Sequence, residues 1–383
     1  MTNSPVMSSP RHVDIAITGR CNLNCAYCFY ADEMTARTDL PTGTWLKFFG
    51  HLADLGVMSV TLTGGEAFAR PDFFELVDGV IANRMRYSIL SNGTLINEST
   101  IEAFRQGKRR QRLDSIQISI DGSTAAIHNQ SRPHSFKRSV HALRLLKENH
   151  FPLTVRVTIN RHNYRDLKNT ARLLLEDIGL SSFTTNEAYP CGATNRYEQE
   201  IMLSPTQRQE VMQILAELLV AYPGGISATA GPLVLMTEDK MIKEALAEGQ
   251  TSLSGRGYLS SCGGVFSQMG VMHDGSMVPC HVVSSLVIGN ILKDDLGEVW
   301  RDHPTMKLMR QRREISLDEV PICQDCPYKG FCAGGCPGGA LYLNGNLLSR
   351  NPMNCYRILM GEEFYDPIPA KVNNHMKQGE SLE

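Results

Sequence analysis

Residues 12–28 read His12-Val-Asp-Ile-Ala-Ile-Thr-Gly-Arg-Cys21-Asn-Leu-Asn-Cys25-Ala-Tyr-Cys28. Two signals lie back to back. The run "HVDIAIT" is short and β-rich, and it leads directly into three cysteines within eight residues. A structural zinc site takes four protein ligands, often as two C-x-x-C pairs. Three cysteines instead point to an open coordination position. Thiolates at 21, 25 and 28 converge if the backbone loops around a small inorganic core, and iron–sulfur clusters use this kind of ligation. Zinc is the competing metal.

Working outward, strand-like and helix-like runs alternate from about residue 12 to 190. The strands are "HVDIAIT", "SVTLTGGE", "RYSILSNG", "LDSIQISIDG", "PLTVRVTIN" and "SSFTTNEAY". Between them lie helical runs. In "PTGTWLKFFGHLADLG" the apolar spacing of Trp45, Phe48, Phe49, Leu52 and Leu55 is helical, with Gly56 as a stop. "PDFFELVDGVIAN" opens with proline in its first turn. A βαβα series implies parallel strands with helical crossovers. Six repeats fit an α/β fold built on a partial (β/α)6 barrel of TIM type rather than a closed eightfold one. The clusters "CNLNCAYC", "GGE", "SNG" and "SIDG" each fall just after a strand, where such barrels carry their active sites.

The 383 residues suffice for one large α/β domain plus a smaller one. A net charge of -2 argues against nucleic acid as a partner. The local run Lys108-Arg109-Arg110-Gln111-Arg112 reads as a solvated loop or as a dock for an acidic peptide. The N-terminus lacks the basic start and apolar core of a secretory signal. No uninterrupted apolar run of 18 residues is present, which argues against a membrane span and for a cytoplasmic protein. Disulfides are rare there, so eleven cysteines favour metal binding.

Residues 204–222 read as a helix, with Ser204 as cap, Pro205 in the first turn and Gln207 completing a capping box. "PGGISATAGP" then breaks the pattern. After about residue 258 glycine, proline and cysteine rise. This reads as a second domain, too loop-rich to build much of a core and dependent on bound metal for stability.

A C-x-x-x-C-x-x-C motif followed by an aromatic residue, just after a first barrel strand, resembles the signature of the radical S-adenosylmethionine family. "GGEAF" resembles that family's glycine-glycine-glutamate motif, in which backbone at Gly64 and Gly65 and the carboxylate of Glu66 hold the methionine amino group. Family members usually place proline after the glutamate, where this chain has Ala67. The resemblance further places Ser91, Asn92, Ser119 and Asp121 near the ribose. It places Arg132 at the methionine carboxylate, a pairing that suits bidentate guanidinium geometry, and Tyr27 at the adenine.

Cys262, Cys280, "CQDCPYKGFCAGGC" and Cys355 give the spacing C-x17-C, a gap, C-x2-C-x5-C-x3-C, a gap, and C. This resembles the SPASM extension of radical enzymes that modify peptides. A zinc ribbon would leave Cys262, Cys280 and Cys355 unexplained. By that resemblance Cys323, Cys326, Cys332 and Cys355 hold one auxiliary cluster, and Cys262, Cys280 and Cys336 hold another. Some relatives add a cysteine six residues after the first; here that position is Gln268. The implied division is an N-terminal tail over 1–11, the radical SAM partial barrel over 12–225, a bridging segment over 226–258, the SPASM domain over 259–365 and a C-terminal tail over 366–383.

Cys191, in "NEAYPCGATN", is left over. It is a catalytic candidate as hydrogen donor to a substrate radical, a fourth ligand for the inner auxiliary cluster, or a small buried residue. His281 follows Cys280, where sulfatase-maturing relatives carry aspartate; it could titrate or be structural.

The resemblance implies reductive cleavage of S-adenosylmethionine to a 5′-deoxyadenosyl radical and hydrogen abstraction from a substrate. It implies one catalytic four-iron cluster, two auxiliary clusters and a flavodoxin- or ferredoxin-type electron donor. Auxiliary clusters that accept an electron favour oxidative modification or crosslinking of a ribosomally made peptide. Peptide epimerisation through Cys191 and radical dehydrogenation of a small molecule or protein side chain are the alternatives. A non-catalytic iron–sulfur or zinc protein has no use for Glu66. About twenty residues precede Cys21, too few for a leader-binding domain, so a peptide substrate is expected to be recognised through a separate leader-binding protein or by direct contact with the barrel.

Overall fold

Apolar and polar residues alternate along the strands, and a pleated strand sends successive side chains to opposite faces. The computed structural model describes residues 6–34, 38–196, 198–260 and 262–362. In it Val13, Ile15, Val60, Leu62, Tyr87, Ile89, Ile116, Ile118, Val155 and Val157 all join one buried core. Helices cover that face, among them Thr42–Asp54, Phe73–Ala82 and Phe136–Glu148. Each fully buried side chain of this size contributes about 1.5–3 kcal/mol.

The six expected strands are β1 (His12–Ala16), β2 (Ser59–Thr63), β3 (Arg86–Ser91), β4 (Leu113–Ser119), β5 (Leu153–Ile159) and β6 (Phe183–Glu187). They pair in sequence order and in parallel. Four further strands extend the same sheet: β7 (Ile226–Ala228), β8 (Gln268–Val271), β9 (Ser276–Val278) and β10 (Gly289–Asn290). The full order is β10-β9-β8-β1-β2-β3-β4-β5-β6-β7.

The face turned away from the helices is polar. His12, Asp14, Ser59, Thr61, Ser88, Ser115, Gln117, Arg156 and Thr184 occupy the alternate positions, and most are half-buried. A closed eightfold barrel fills its interior with bulky apolar side chains. The inner face here is polar instead.

Two expectations about the second half change. The segment after residue 258 does build a core. β8 pairs in parallel with β1, aligning His12 with Gln268. Val265, Met269, Val271, Met277, Trp300 and Met306 therefore join the barrel's own core. The segment 226–258 adds β7 beside β6 and then the helix Pro232–Ala247. The Ser204–Gln207 capping box is present, with Pro205 in the first turn of the helix Pro205–Ala221. Within the expected N-terminal tail, Met7 and Ser8 offer carbonyls to Trp300 and Arg301, each at 2.9 Å. The tail expected over 366–383 lies outside the described residues.

Candidate active site

The loop carrying Cys21, Cys25 and Cys28 leaves the end of β1 and is tied to three other strand ends. The N–H groups of Gly65 and Glu66 donate to the carbonyls of Thr18 and Arg20 at 2.9 and 2.8 Å. A Cβ at Gly64 or Gly65 would strike those same carbonyl oxygens. Gly64 also has φ +145°, so this close approach requires glycine. After β3, Asn92 donates its side-chain amide to Asn22 at 3.0 Å, and Asn22 donates to Thr94 at 2.7 Å. After β6, Ala193 N–H donates to the Cys28 carbonyl at 2.9 Å.

Glu66 is 1% exposed. It accepts from Ser91 Oγ and Asn92 N–H, both at 2.8 Å, and from Phe68 N–H at 3.2 Å. Burial pushes its carboxyl up, opposed by these hydrogen bonds. The glutamate motif and the "SNG" motif are thus one construction. Ser119 is half-buried at the end of β4.

Asp121 is also 1% exposed. It accepts from Arg132 Nε at 2.6 Å, from Thr158 N–H at 2.7 Å and from the Tyr27 hydroxyl. Arg132 Nε lies 2.6 Å from the Tyr27 oxygen, and its guanidinium sits 5.2 Å from the Tyr27 ring centre. Arg132 Nη1 lies 3.8 Å from Cys25 Sγ. Asp121 therefore reaches the site through Tyr27 and Arg132.

Sequence reading missed His128, on the short helix Ala125–Ser131. Its Nδ1 accepts from Asp121 N–H at 3.1 Å, and its Nε2 lies 2.8 Å from Ser135 Oγ. Ser135 Oγ donates to the Arg132 carbonyl at 2.8 Å. Burial pushes His128 down to about 4. The neutral ring thus carries its proton on Nε2 and fixes the backbone at both Asp121 and Arg132.

The donor chemistry fits a cluster at the cysteine loop. Burial pushes Cys21 up to about 11, and nearby Cys25 and Glu66 add to the rise against a Leu23 N–H. Burial and Cys25 push Cys28 up to about 12. Three thiolates so placed repel one another, and a cationic iron core relieves the repulsion. Among the described residues no group of His, Cys, Asp or Glu side chains is gathered to hold a bare metal ion.

Cys323, Cys326, Cys332 and Cys355 line one cavity with Arg350 at its wall. Burial pushes Cys323 up to about 12, with Cys332 adding and Arg350 opposing. Arg350 also donates to Cys355 Sγ. Cys262, Cys280 and Cys336 form a second neighbourhood. Burial pushes Cys280 up to about 12; a Val282 N–H opposes this, while Cys262 and Cys336 add to it.

Cys191 is 1% exposed. Burial pushes its thiol up, and Cys28, Cys280 and Cys336 are near enough to add to the rise. Tyr189, which sequence reading did not single out, lies nearby. Its hydroxyl is buried without a nitrogen or oxygen partner among the described residues, and Cys336, Cys191 and Cys280 raise it further beyond the effect of burial.

His281 turns away from the cysteines, with Nε2 3.1 Å from the Val271 carbonyl. The basic run is structural. Arg109 pairs with Asp78 at 2.6 Å, and Arg110 donates to the carbonyls of Asn149 and His150.

Residues 15–174 match the Radical SAM superfamily, and residues 262–327 match an iron–sulfur cluster-binding domain, SPASM. An AdoMet-dependent heme synthase of Methanosarcina barkeri is 26% identical over 91% of this chain and 97% of that protein. A PqqA peptide cyclase of Gluconobacter oxydans is 26% identical over 98% of this chain and 97% of that protein. The crystal structure of Streptococcus suis SuiB bound to precursor peptide SuiA superposes with a TM-score of 0.68 at 17% identity. It covers 88% of this chain and 74% of that one, which establishes the shared fold. With a cysteine loop braced by Glu66 and Arg132 on a partial barrel, and a cysteine-rich extension joined to its sheet, the chain belongs to the radical SAM superfamily and carries a SPASM domain.

Proposed function

We propose that this radical SAM/SPASM enzyme oxidatively modifies or crosslinks a ribosomally made peptide. The observation that carries the reading is the near full-length match to a PqqA peptide cyclase, combined with a cysteine loop bonded to Glu66 through the Arg20 carbonyl and to Asp121 through the Tyr27 hydroxyl. The chemistry that a catalytic iron–sulfur cluster and S-adenosylmethionine supply when bound is a reductively generated 5′-deoxyadenosyl radical, able to take hydrogen from an unactivated C–H bond. The protein's part is to hold and orient. Cys21, Cys25 and Cys28 hold the cluster. Glu66 and the backbone at Gly64 and Gly65 receive the methionine amino group. Arg132, its Nε committed to Asp121, would pair with the methionine carboxylate through its remaining N–H groups. Ser91, Asn92 and Ser119 serve the ribose, and Tyr27 the adenine. Asp121 is a positioning residue.

Cys323, Cys326, Cys332 and Cys355 hold the outer auxiliary cluster, and Cys262, Cys280 and Cys336 the inner one. The nearness of Cys191 to Cys280 and Cys336 supports a fourth ligand of the inner cluster, and its nearness to Cys28 supports a hydrogen donor. Electrons come from a flavodoxin- or ferredoxin-type donor, and a separate leader-binding protein delivers the peptide. The protein works in the cytoplasm; among the described residues no helix is long and apolar enough to cross a membrane.

A second reading, a non-peptide substrate, is favoured by the match to an AdoMet-dependent heme synthase. Anaerobic reconstitution is expected to give about twelve irons if all three clusters are cubanes. With dithionite and S-adenosylmethionine it is expected to release 5′-deoxyadenosine. Replacing Cys21, Cys25 and Cys28 by alanine abolishes that release and about a third of the iron; release that survives removes the assignment. Co-expression with a short peptide encoded beside the enzyme is expected to lower the peptide's mass by a pair of hydrogens per crosslink. An unchanged peptide favours the second reading. For Cys191→Ala, lost iron marks a ligand, lost turnover with full iron marks a hydrogen donor, and no change marks packing.

A further inference from the structure

On the polar inner face of the barrel, Arg156 carries a positive charge with no carboxylate paired to it among the described residues. Arg70, Arg132 and Arg208 each have a carboxylate, Asp72 at 2.8 Å, Asp121 at 2.6 Å and Glu187 at 2.8 Å, and the fully buried Arg312 donates instead to the backbone carbonyls of Ser260, Leu347 and Gly335. Arg156, in the middle of β5, has no such carboxylate among the described residues. Its hydrogen-bond partner is the side-chain oxygen of Gln117, which accepts from Nε at 3.0 Å.

The direction of Arg156 is settled by its neighbours. Val155 and Val157 on either side belong to the core under the helices, as do Ile116 and Ile118 around Gln117. Arg156 and Gln117 therefore project from the opposite, inner face. The height is settled by register. Arg156 aligns with Ser119 on β4 and Thr184 on β6. Two residues further along β5, Thr158 N–H binds Asp121, the anchor of Arg132 and Tyr27. Arg156 thus sits level with Ser119, at the lower edge of the proposed cofactor contacts, on the face a substrate would share with them.

The remaining charges of this face lie lower and are matched to each other. Asp14 lies 3.2 Å from His12, with His281 nearby, and is aligned with Thr61. Burial pushes the Arg156 guanidinium below its usual range, and no neighbouring carboxylate opposes the change. A half-buried guanidinium without a counter-charge costs stability unless a ligand supplies one. With Nε tied to Gln117, the outer edge of the planar fork is left to receive a carboxylate by paired hydrogen bonds.

We propose that Arg156, oriented by Gln117, is a substrate-binding residue that receives a carboxylate of the substrate beside the proposed cofactor contacts. Under the peptide reading, on which this form of the inference rests, the carboxylate is an acidic side chain or a free C-terminus.

The test is equilibrium dialysis of the reconstituted full chain, with S-adenosylmethionine present, against four labelled probes. These are acetyl-Ala-Glu-Ala-amide, the neutral acetyl-Ala-Gln-Ala-amide, acetyl-Ala-Gln-Ala with a free C-terminus, and glutarate. At least one carboxylate probe is expected to be retained about tenfold better than the neutral tripeptide. Arg156→Gln brings that ratio to parity, and Arg156→Lys, which keeps the charge without the fork, leaves an intermediate ratio. The two peptide carboxylates distinguish side chain from C-terminus. Retention of glutarate but of neither peptide keeps the carboxylate site and removes the peptide reading. Equal retention of neutral and charged probes, no retention of any carboxylate, or a preference that survives both substitutions overturns the inference.

Discussion

The cysteine loop after β1 and the outer four-cysteine cavity offer the same donor atom but are built in opposite ways. The loop is shaped by the protein. Carbonyls at Thr18 and Arg20, side chains at Asn22 and Asn92, and the carbonyl of Cys28 are all bonded to neighbouring strand ends. Beneath it lies the large barrel core. The outer cavity rests instead on small satellite clusters, one of them Leu259, Leu317, Val320 and Cys323, another Ile242, Ala245 and Phe331. Its cysteines sit in 3-10 turns and irregular chain, with β structure limited to a single bridge, Tyr258 to Ser316. A catalytic site must leave one position open and therefore needs the protein to fix the rest. A closed four-ligand site can let its metal do the shaping.

Removing iron is the most direct way to break that contrast. After anaerobic chelation, amides from about residue 312 to 358 are expected to exchange with deuterium about tenfold faster or more, while those of β1 to β5 keep their protection. Equal loosening of both regions would show that the barrel depends on metal as well.

A smaller effect is expected at Gly65. A methyl group there strikes the Arg20 carbonyl and comes within 2.9 Å of Cys21 Cβ. Gly65→Ala should cost about 1–3 kcal/mol in urea unfolding and displace the catalytic iron. Gly43→Ala, with nothing within 4 Å, serves as the control. A Gly65→Ala protein with full iron would mean that the metal, not the backbone, shapes the loop.

The smallest effect is that of pH on His128. Its folded pKa, about 4, lies below the ordinary 6.5. Between those values the unfolded chain binds a proton that the folded chain refuses. Stability is therefore lost as pH falls from about 6.5 toward 4, by at most about 3 kcal/mol, and the loss levels off below that. The urea midpoint of His128→Gln should fall less over this window than that of the parent. Parallel curves would separate His128 from the Asp121–Arg132 network.

The barrel was legible because β1 to β6 and their helices repeat locally. Leucine, valine and isoleucine at alternate positions specify a strand wherever they occur, and Ser204 with Gln207 specifies a helix start within four residues. The cysteine loop was legible for the same reason. The pairing of His12 with Gln268 was not, because nothing in either segment encodes a partner more than two hundred residues away. His128 was hidden because Ala125–Ser131 is too short to show an apolar repeat. Arg156 was hidden inside a run that reads simply as a strand; its isolation from carboxylates exists only once the sheet is assembled.

The union of β8 with β1 also bears on how this protein can be handled. A chain cut near residue 258 would strip β1 of one neighbour and leave a row of unpaired backbone groups along the apolar strand that bears the catalytic loop. Such an exposed edge invites pairing with other chains and aggregation. The SPASM half is not an appendage that can be exchanged at a linker, and a chimera that respects the sheet would have to carry β8 to β10 with the barrel.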